Sequence, residues 1–342
     1  MMQTHMRREI DEIPEAAARL IDQAGGAIRA AGAALRDRNP AYVATIARGS
    51  SDHASHFIKY AIELVARKPV ASVGPSLASI YGVELDLSGA ATVAISQSGK
   101  SPDIVAMAEA ATRSGAVSVA LTNTIDSPLA TASRHAIDIA AGPELAVAAT
   151  KSYVNSVVAG LLLLAEWTGD DALGKALRGL PDHFRKAVSL DWFAALSGAL
   201  GPQGSLYMLG RGPTLAIASE AALKFKETSG LHAEAYSAAE VLHGPVALVK
   251  PEFPVIAFAA RDRAEASIAE IADGLAEKRA AVFATTRRVA RAGQLDFVTT
   301  GHPLTDALAL IIPFYGFVEA WSRSLGFNPD KPEALKKVTE TR

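Results

Sequence analysis

Residues 219–245, SEAALKFKETSGLHAEAYSAAEVLHGP, crowd proton-transfer groups into one stretch otherwise built of Ala and Leu. Glu220, Lys224 and Glu227 fall at i, i+4 and i+7, so on a helix two carboxylates flank one ammonium on a single face. Past Gly230 come His232, Glu234, Glu240 and His243. A carboxylate base, a cation and an acid are the groups that proton transfer beside a carbonyl requires. Taken alone, a Glu–Lys run at this spacing is more often a solvated helix face, and a His beside a Gly-Pro turn is more often structural. The other stretches of the chain weigh between these meanings.

Residues 95–103, ISQSGKSPD, follow a predicted strand and precede a helical pattern. Ser96, Gln97, Ser98 and Ser101 offer hydroxyl and amide groups around Gly99, and the helix start adds free N–H groups and a positive dipole end. That combination suits a phosphate, although an ordinary Ser-rich turn with an N-cap reads the same way. RGSSDH, at 48–53, occupies the corresponding place after the first strand and adds Ser50 and Ser51. AGPELAVAATKS, at 141–152, is expected as a loop that could close over a sugar, with Glu144 and Lys151 in it. Two other motifs fail. GRGPTLA at 210–216 has Leu215 where a dinucleotide fingerprint needs its third glycine, and HAE at 232–234 has no cysteine partners for a deaminase zinc.

The elements that must position these residues alternate. Helical periodicity covers 8–38, then strands are expected near 42–47, 70–73, 91–96, 116–121 and 136–140, with helical stretches between them. A second set is expected near 205–209, 231–236, 254–259, 281–286 and 295–299. Comparable spacing, and an Arg-Gly turn after each first strand (ARGSS, GRGPT), indicate a duplicated α/β module with doubly wound parallel sheets. The expected division is a helix plus first module over 1–190, a second module over 191–325, and a tail over 326–342.

Composition narrows the partners. Thirty-four Lys and Arg against 36 Asp and Glu give no reason to expect nucleic acid or an anionic membrane. The longest apolar run, VVAGLLLLAEW at 157–167, falls short of the roughly 20 residues a bilayer span needs and reads as a buried helix. Cysteine is absent, which excludes thiol nucleophiles and cysteine-ligated metals and agrees with a cytoplasmic setting. No metal or cofactor is expected.

Taken together, SQSGKSPD, AGPELAVAATKS, EAALKFKETSGLHAEAYSAAEVLHGP and the terminal DKPEALKKVTE resemble the isomerase half of glutamine–fructose-6-phosphate aminotransferase, of the sugar isomerase (SIS) superfamily. The similarity runs over roughly 40–342. It implies two flavodoxin-like SIS modules, commonly in a homodimer, acting on a sugar phosphate. By position it implies that Ser96, Gln97, Ser98 and Ser101, with Ser50, hold the phosphate, and that Val147 and Ala149 lie against the sugar. Glu227 would be the base between C1 and C2, Lys224 would orient it, and Glu220 would stand behind. His243 would open the ring, reaching the site from the neighbouring subunit, and Lys337 would form an imine with the open-chain ketose. Ala149 stands where the synthase has a serine, and Lys100 replaces an acid, so the substrate is expected to differ. The synthase's glutaminase half, with its cysteine nucleophile, has no counterpart here. The resemblance therefore implies glutamine-independent, isomerising deamination of glucosamine 6-phosphate. Its rivals are a deaminase for another amino-sugar phosphate, a deglycase, an aldose–ketose isomerase and a non-catalytic sugar-phosphate sensor.

Overall fold

A computed structural model describes residues 3–201, 204–332, 335 and 337. In chain order it has α1 (His5–Asp11), α2 (Ile13–Gln23), α3 (Gly25–Arg38), β1 (Tyr42–Ile46), α4 (Ser50–Val65), β2 (Val70–Ser72), α5 (Ser76–Ser79) and β3 (Ala90–Ile95). There follow α6 (Pro102–Arg113), β4 (Val117–Thr122), α7 (Pro128–Ala132), β5 (His135–Asp138), α8 (Lys151–Thr168), α9 (Asp171–Arg178), α10 (Leu180–Val188) and α11 (Phe193–Leu196). The remainder is β6 (Ser205–Gly210), α12 (Pro213–Ser229), β7 (His232–Ser237), β8 (Pro254–Ala257), α13 (Glu265–Glu277), β9 (Ala281–Ala284), β10 (Gly293–Gln294), α14 (Pro303–Ala309) and α15 (Ile311–Ser324). Two compact units result: residues 15–144 with 151–178, and residues 3–14 with 145–150 and 179–337.

The unit holding 15–144 contains a five-stranded parallel sheet in the order β2-β1-β3-β4-β5. β3 and β4 are buried along their whole length, as strands covered on both faces must be, and that accounts for sequences that are apolar but for Thr92, Ser118 and Thr122. α8, the expected buried helix, nests against α3 and α4 because two glycines permit it. A Cβ on Gly160 would lie 2.6 Å from Ile58 Cγ1, and one on Gly32 would lie 2.6 Å from Glu166 Cγ.

In the other unit the sheet order is β10-β9-β8-β6-β7, which is the same topology run again. The duplication extends to the backbone. Gly49 (φ 59°, ψ −135°) begins α4 and Gly212 (φ 63°, ψ −135°) begins α12, a conformation open to glycine. The apolar core of this unit runs through Tyr207, Leu209, Val255, Ala257, Ile268, Leu275 and Val282. One helical stretch, Pro303–Ser324, passes a length-and-composition test for crossing a membrane, but 89% of its apolar window is buried inside the fold.

Two expectations need correction. The helical run over 8–38 is three helices, broken at Glu12 and Ala24. The last strand, expected at 295–299, is the two-residue β10, paired to β9 through Gly293 and Gln294. Leu295 N–H still donates to the Ala284 carbonyl at 2.9 Å, and past it side chains hold the segment: the Trp192 indole donates to the Asp296 carbonyl at 2.8 Å, Arg287 pairs with the Asp296 carboxylate, and the Arg261 guanidinium lies 3.9 Å from the Phe297 ring centre.

Candidate active site

The first sheet reverses its winding between β1 and β3, and ligands in open α/β sheets settle outside the carboxyl ends of strands at such a point. Both serine turns lie there, on adjacent strands. In the turn after β3, Gly99 is required: its φ is 63°, and a Cβ would stand 2.5 Å from Ser127 Cβ and 3.0 Å from Thr122 Oγ1. Ser96 is buried and its Oγ accepts the Gly99 N–H at 3.2 Å, while the Gly99 carbonyl accepts Leu129 N–H at 3.0 Å. The Gln97 carbonyl accepts Asn123 N–H at 3.1 Å and Ser98 Oγ accepts Lys100 N–H at 3.3 Å. Ser101 occupies the N-cap of α6, yet its side chain makes no capping bond, so the hydroxyl is not spent on the helix. In the turn after β1, Ser50 opens α4 and is half-buried.

An ion pair ties the two turns together. Asp103, fully buried in the first turn of α6, pairs with Arg48 from the end of β1, and its other oxygen accepts Ile104 N–H at 2.9 Å. Sequence reasoning missed this pair, although both residues were in view, in ARGSS and in SPD. Only the sheet order makes β1 and β3 neighbours. The corresponding place in the second sheet carries no serine turn. There Arg261 folds back and donates to the Ala259 carbonyl and to the Thr285 carbonyl, at 2.6 Å for the latter.

The other chemical cluster belongs to the second unit. α12 is helical through a run without Gly or interior Pro and stops at Gly230 in the left-handed region. Its Glu220–Lys224–Glu227 face is not solvated. Glu220 and Lys224 are 0% exposed and Glu227 18%. Lys224 Nζ lies 3.2 Å from Glu220 Oε1 and donates to Glu227 Oε2, and the Tyr315 hydroxyl donates to Glu220 at 3.2 Å. Burial alone would pull the Lys224 ammonium down, but the charges of Glu220 and then Glu227 outweigh it and hold the ammonium above its usual range. Glu227 stands at the rim of a cavity of about 430 Å³ in this unit, lined also by Lys226, Phe327, Asn328 and Lys331. A carboxylate fixed by a buried cation at the edge of a cavity is placed to take and return a proton.

The remaining expected residues divide. Val147 and Ala149 are half-buried in the loop before α8. Lys337 Nζ donates to the Ala146 carbonyl at 2.6 Å, so the tail lysine and this loop meet. Lys151 opens α8 and is buried, and Glu144 accepts Ser152 N–H at 3.1 Å and Oγ–H at 2.5 Å. His243 is exposed between exposed Leu242 and Gly244, and its imidazole makes no hydrogen bond to the Glu220–Lys224–Glu227 group. Of the tail expected to close over a site, residues 333, 334, 336 and 338–342 lie outside the described residues.

Comparison with known proteins places the fold and these stretches. The SIS domain family model matches residues 36–166 and 199–290. The chain belongs to the SIS domain family. Among curated relatives, the glutamine–fructose-6-phosphate aminotransferase of Symbiobacterium thermophilum is 37% identical over 320 residues, covering 86% of this chain and 51% of that protein. The Pyrobaculum aerophilum enzyme of the same name is 33% identical, covering 97% of this chain and 57% of its own. The chain thus spans about half the length of these relatives. A solved structure from Silicibacter pomeroyi, of a provisionally named phosphosugar isomerase, is 57% identical with TM-score 0.92, covering 96% of this chain and 100% of that one. The C-terminal domain of the Francisella tularensis glucosamine–fructose-6-phosphate aminotransferase is 25% identical with TM-score 0.86, covering 97% and 99%.

Proposed function

We propose that this SIS protein is a phosphosugar isomerase-type enzyme that deaminates glucosamine 6-phosphate to fructose 6-phosphate and ammonia without glutamine. The observation that carries the reading is the buried Glu220–Lys224–Glu227 face, with Glu227 alone reaching a cavity rim. Pure phosphate recognition gives no reason to bury an ammonium between two carboxylates, which costs several kcal/mol per ion before pairing.

In this reading the turn of Ser96, Gln97, Ser98 and Ser101, with Ser50, holds the phosphate. His243 assists ring opening, contributed by a second copy of the chain; its exposure beside exposed Leu242 and Leu248 supports that role. Glu227 removes the C2 hydrogen of the open-chain aldose and returns it to C1, while the C2 amine gives up one N–H proton and the C1 oxygen gains one. The product is a C2 imine, and water then replaces the nitrogen and releases ammonia. Lys224 stays protonated and holds the Glu227 carboxylate in place through its hydrogen bond. Lys337 is assigned to the carbonyl carbon of the open chain. Such enolisation needs neither metal nor organic cofactor. The chain has no cysteine with which to attack glutamine, and that absence agrees with a cytoplasmic setting. Purified protein given glucosamine 6-phosphate alone should release ammonia and fructose 6-phosphate in equal amounts. No product from this sugar, from galactosamine 6-phosphate or from fructosyl amino-acid phosphates would end the proposal.

A further inference from the structure

We propose that Glu9 is a positioning residue that sets where Lys337 stands; the catalytic meaning of this rests on the assignment of Lys337 just given. Glu9 lies on α1 and is 4% exposed. Its carboxylate accepts Leu145 N–H and also Ala146 N–H, at 3.3 Å to each oxygen. Two successive amides on one anion hold the two peptides that lead into the Ala146–Val147 peptide. The Ala146 carbonyl of that peptide accepts the Lys337 ammonium at 2.6 Å.

The helix carrying Glu9 is itself fastened. The Thr4 hydroxyl caps it by accepting Arg7 N–H at 3.0 Å and donates to the buried Glu319 at 2.7 Å. The Asp330 carboxylate accepts His5 N–H and Met6 N–H, both at 2.8 Å, and the Asp330 carbonyl accepts Val147 N–H at 3.4 Å. α1 therefore grips the loop through Glu9, and Asp330 joins the root of the tail to both. A buried carboxylate is costly unless it is hydrogen-bonded, and here the loop whose Ala146 carbonyl meets Lys337 supplies bonds to it. With Glu9 shortened, the loop amides lose their anion and the carbonyl facing Lys337 is held less firmly, its peptide keeping the Val147 N–H bond to the Asp330 carbonyl.

The test is lysine acetylation of the full chain at limiting acetic anhydride, read by peptide mass spectrometry, with exposed Lys175 and Lys278 as internal references. Glu9→Ala should raise the labelling rate of Lys337 about tenfold relative to those references, the factor expected on losing a charge-assisted bond. Glu9→Gln keeps length and one acceptor oxygen and should fall between, and it decides alone if Glu9→Ala does not fold. In turnover, kcat should fall by a similar factor in Glu9→Ala with KM within roughly twofold, because the proposed phosphate groups are untouched. Labelling of Lys337 unchanged in a folded Glu9 variant overturns the proposal. The labelling needs no turnover, so it decides the role of Glu9 even where the deaminase reading fails.

Discussion

Replacing Lys224 with Met removes the ammonium and keeps an unbranched side chain of similar length. The folded state then holds Glu220 fully buried, with the Tyr315 hydroxyl at 3.2 Å, beside Glu227 at 18% exposure. Stranding a buried charge by deleting its partner costs about 3–5 kcal/mol, and Glu220 carries most of it because Glu227 reaches solvent. Two pH signatures follow. In the wild type the Lys224 ammonium is held above its ordinary value, so its contribution is complete below about pH 10.4, the unfolded pKa, and is lost as pH rises through the folded one. Lys224→Met lacks that alkaline loss. At the acid end the stranded Glu220 is driven to protonate, so the variant's deficit should shrink as pH falls from 7.5 to 5. Urea unfolding followed by tryptophan emission reports on this region, since the Trp321 ring packs 5.6 Å from the Phe225 ring on α12. The double variant Glu220→Gln with Lys224→Met should regain at least half of the loss. A Lys224→Met deficit under about 1 kcal/mol at pH 7.5, unchanged at pH 5, would refute the account of a buried, charge-paired helix face.

Gly99→Ala should abolish measurable binding of fructose 6-phosphate by calorimetry while leaving the other unit's unfolding unchanged, since φ is 63° and the added Cβ would meet Ser127 at 2.5 Å. Asp103→Asn, which removes the buried partner of Arg48, should weaken phosphate binding by roughly tenfold, the effect of one hydrogen bond to a charged group; unchanged affinity would mean that the two turns are not coupled. The Tyr236 phenol is pushed up to about 12, first by its hydrogen bond to Glu234 and then by burial. Its absorbance titration should drop toward the usual value near 10 in Glu234→Gln. Any stabilisation from that bond is complete below pH 10 and lost as pH rises toward about 12.

Much of the fold was legible because burial on both faces writes itself as apolar runs. β3 and β4 were found at 91–96 and 116–121, each one residue out of step with the observed strand, and the repeated Arg-Gly turn exposed the duplication. β10 was misplaced because the ladder ends at Leu295, and the rest of LDFVT is held by the Trp192 indole on the Asp296 carbonyl and the Arg261 guanidinium over Phe297. Spacing put Glu220, Lys224 and Glu227 on one face but could not tell water from core. α15, nearly a hundred residues on, packs against α12 and brings the Tyr315 hydroxyl to Glu220. Glu9 and the Arg48–Asp103 pair were invisible for the same reason, because their partners are set by tertiary topology and not by sequence distance.

The central claim is that Glu227 carries the sugar hydrogen from C2 to C1. Its most direct test is NMR of glucosamine 6-phosphate turnover in deuterium oxide, comparing wild type with Glu227→Gln. Wild type should yield fructose 6-phosphate with solvent deuterium partly incorporated at C1, and Glu227→Gln should lose between about 10²- and 10⁴-fold in rate with its fold intact. Turnover and deuterium incorporation at the wild-type rate in Glu227→Gln would contradict the mechanism.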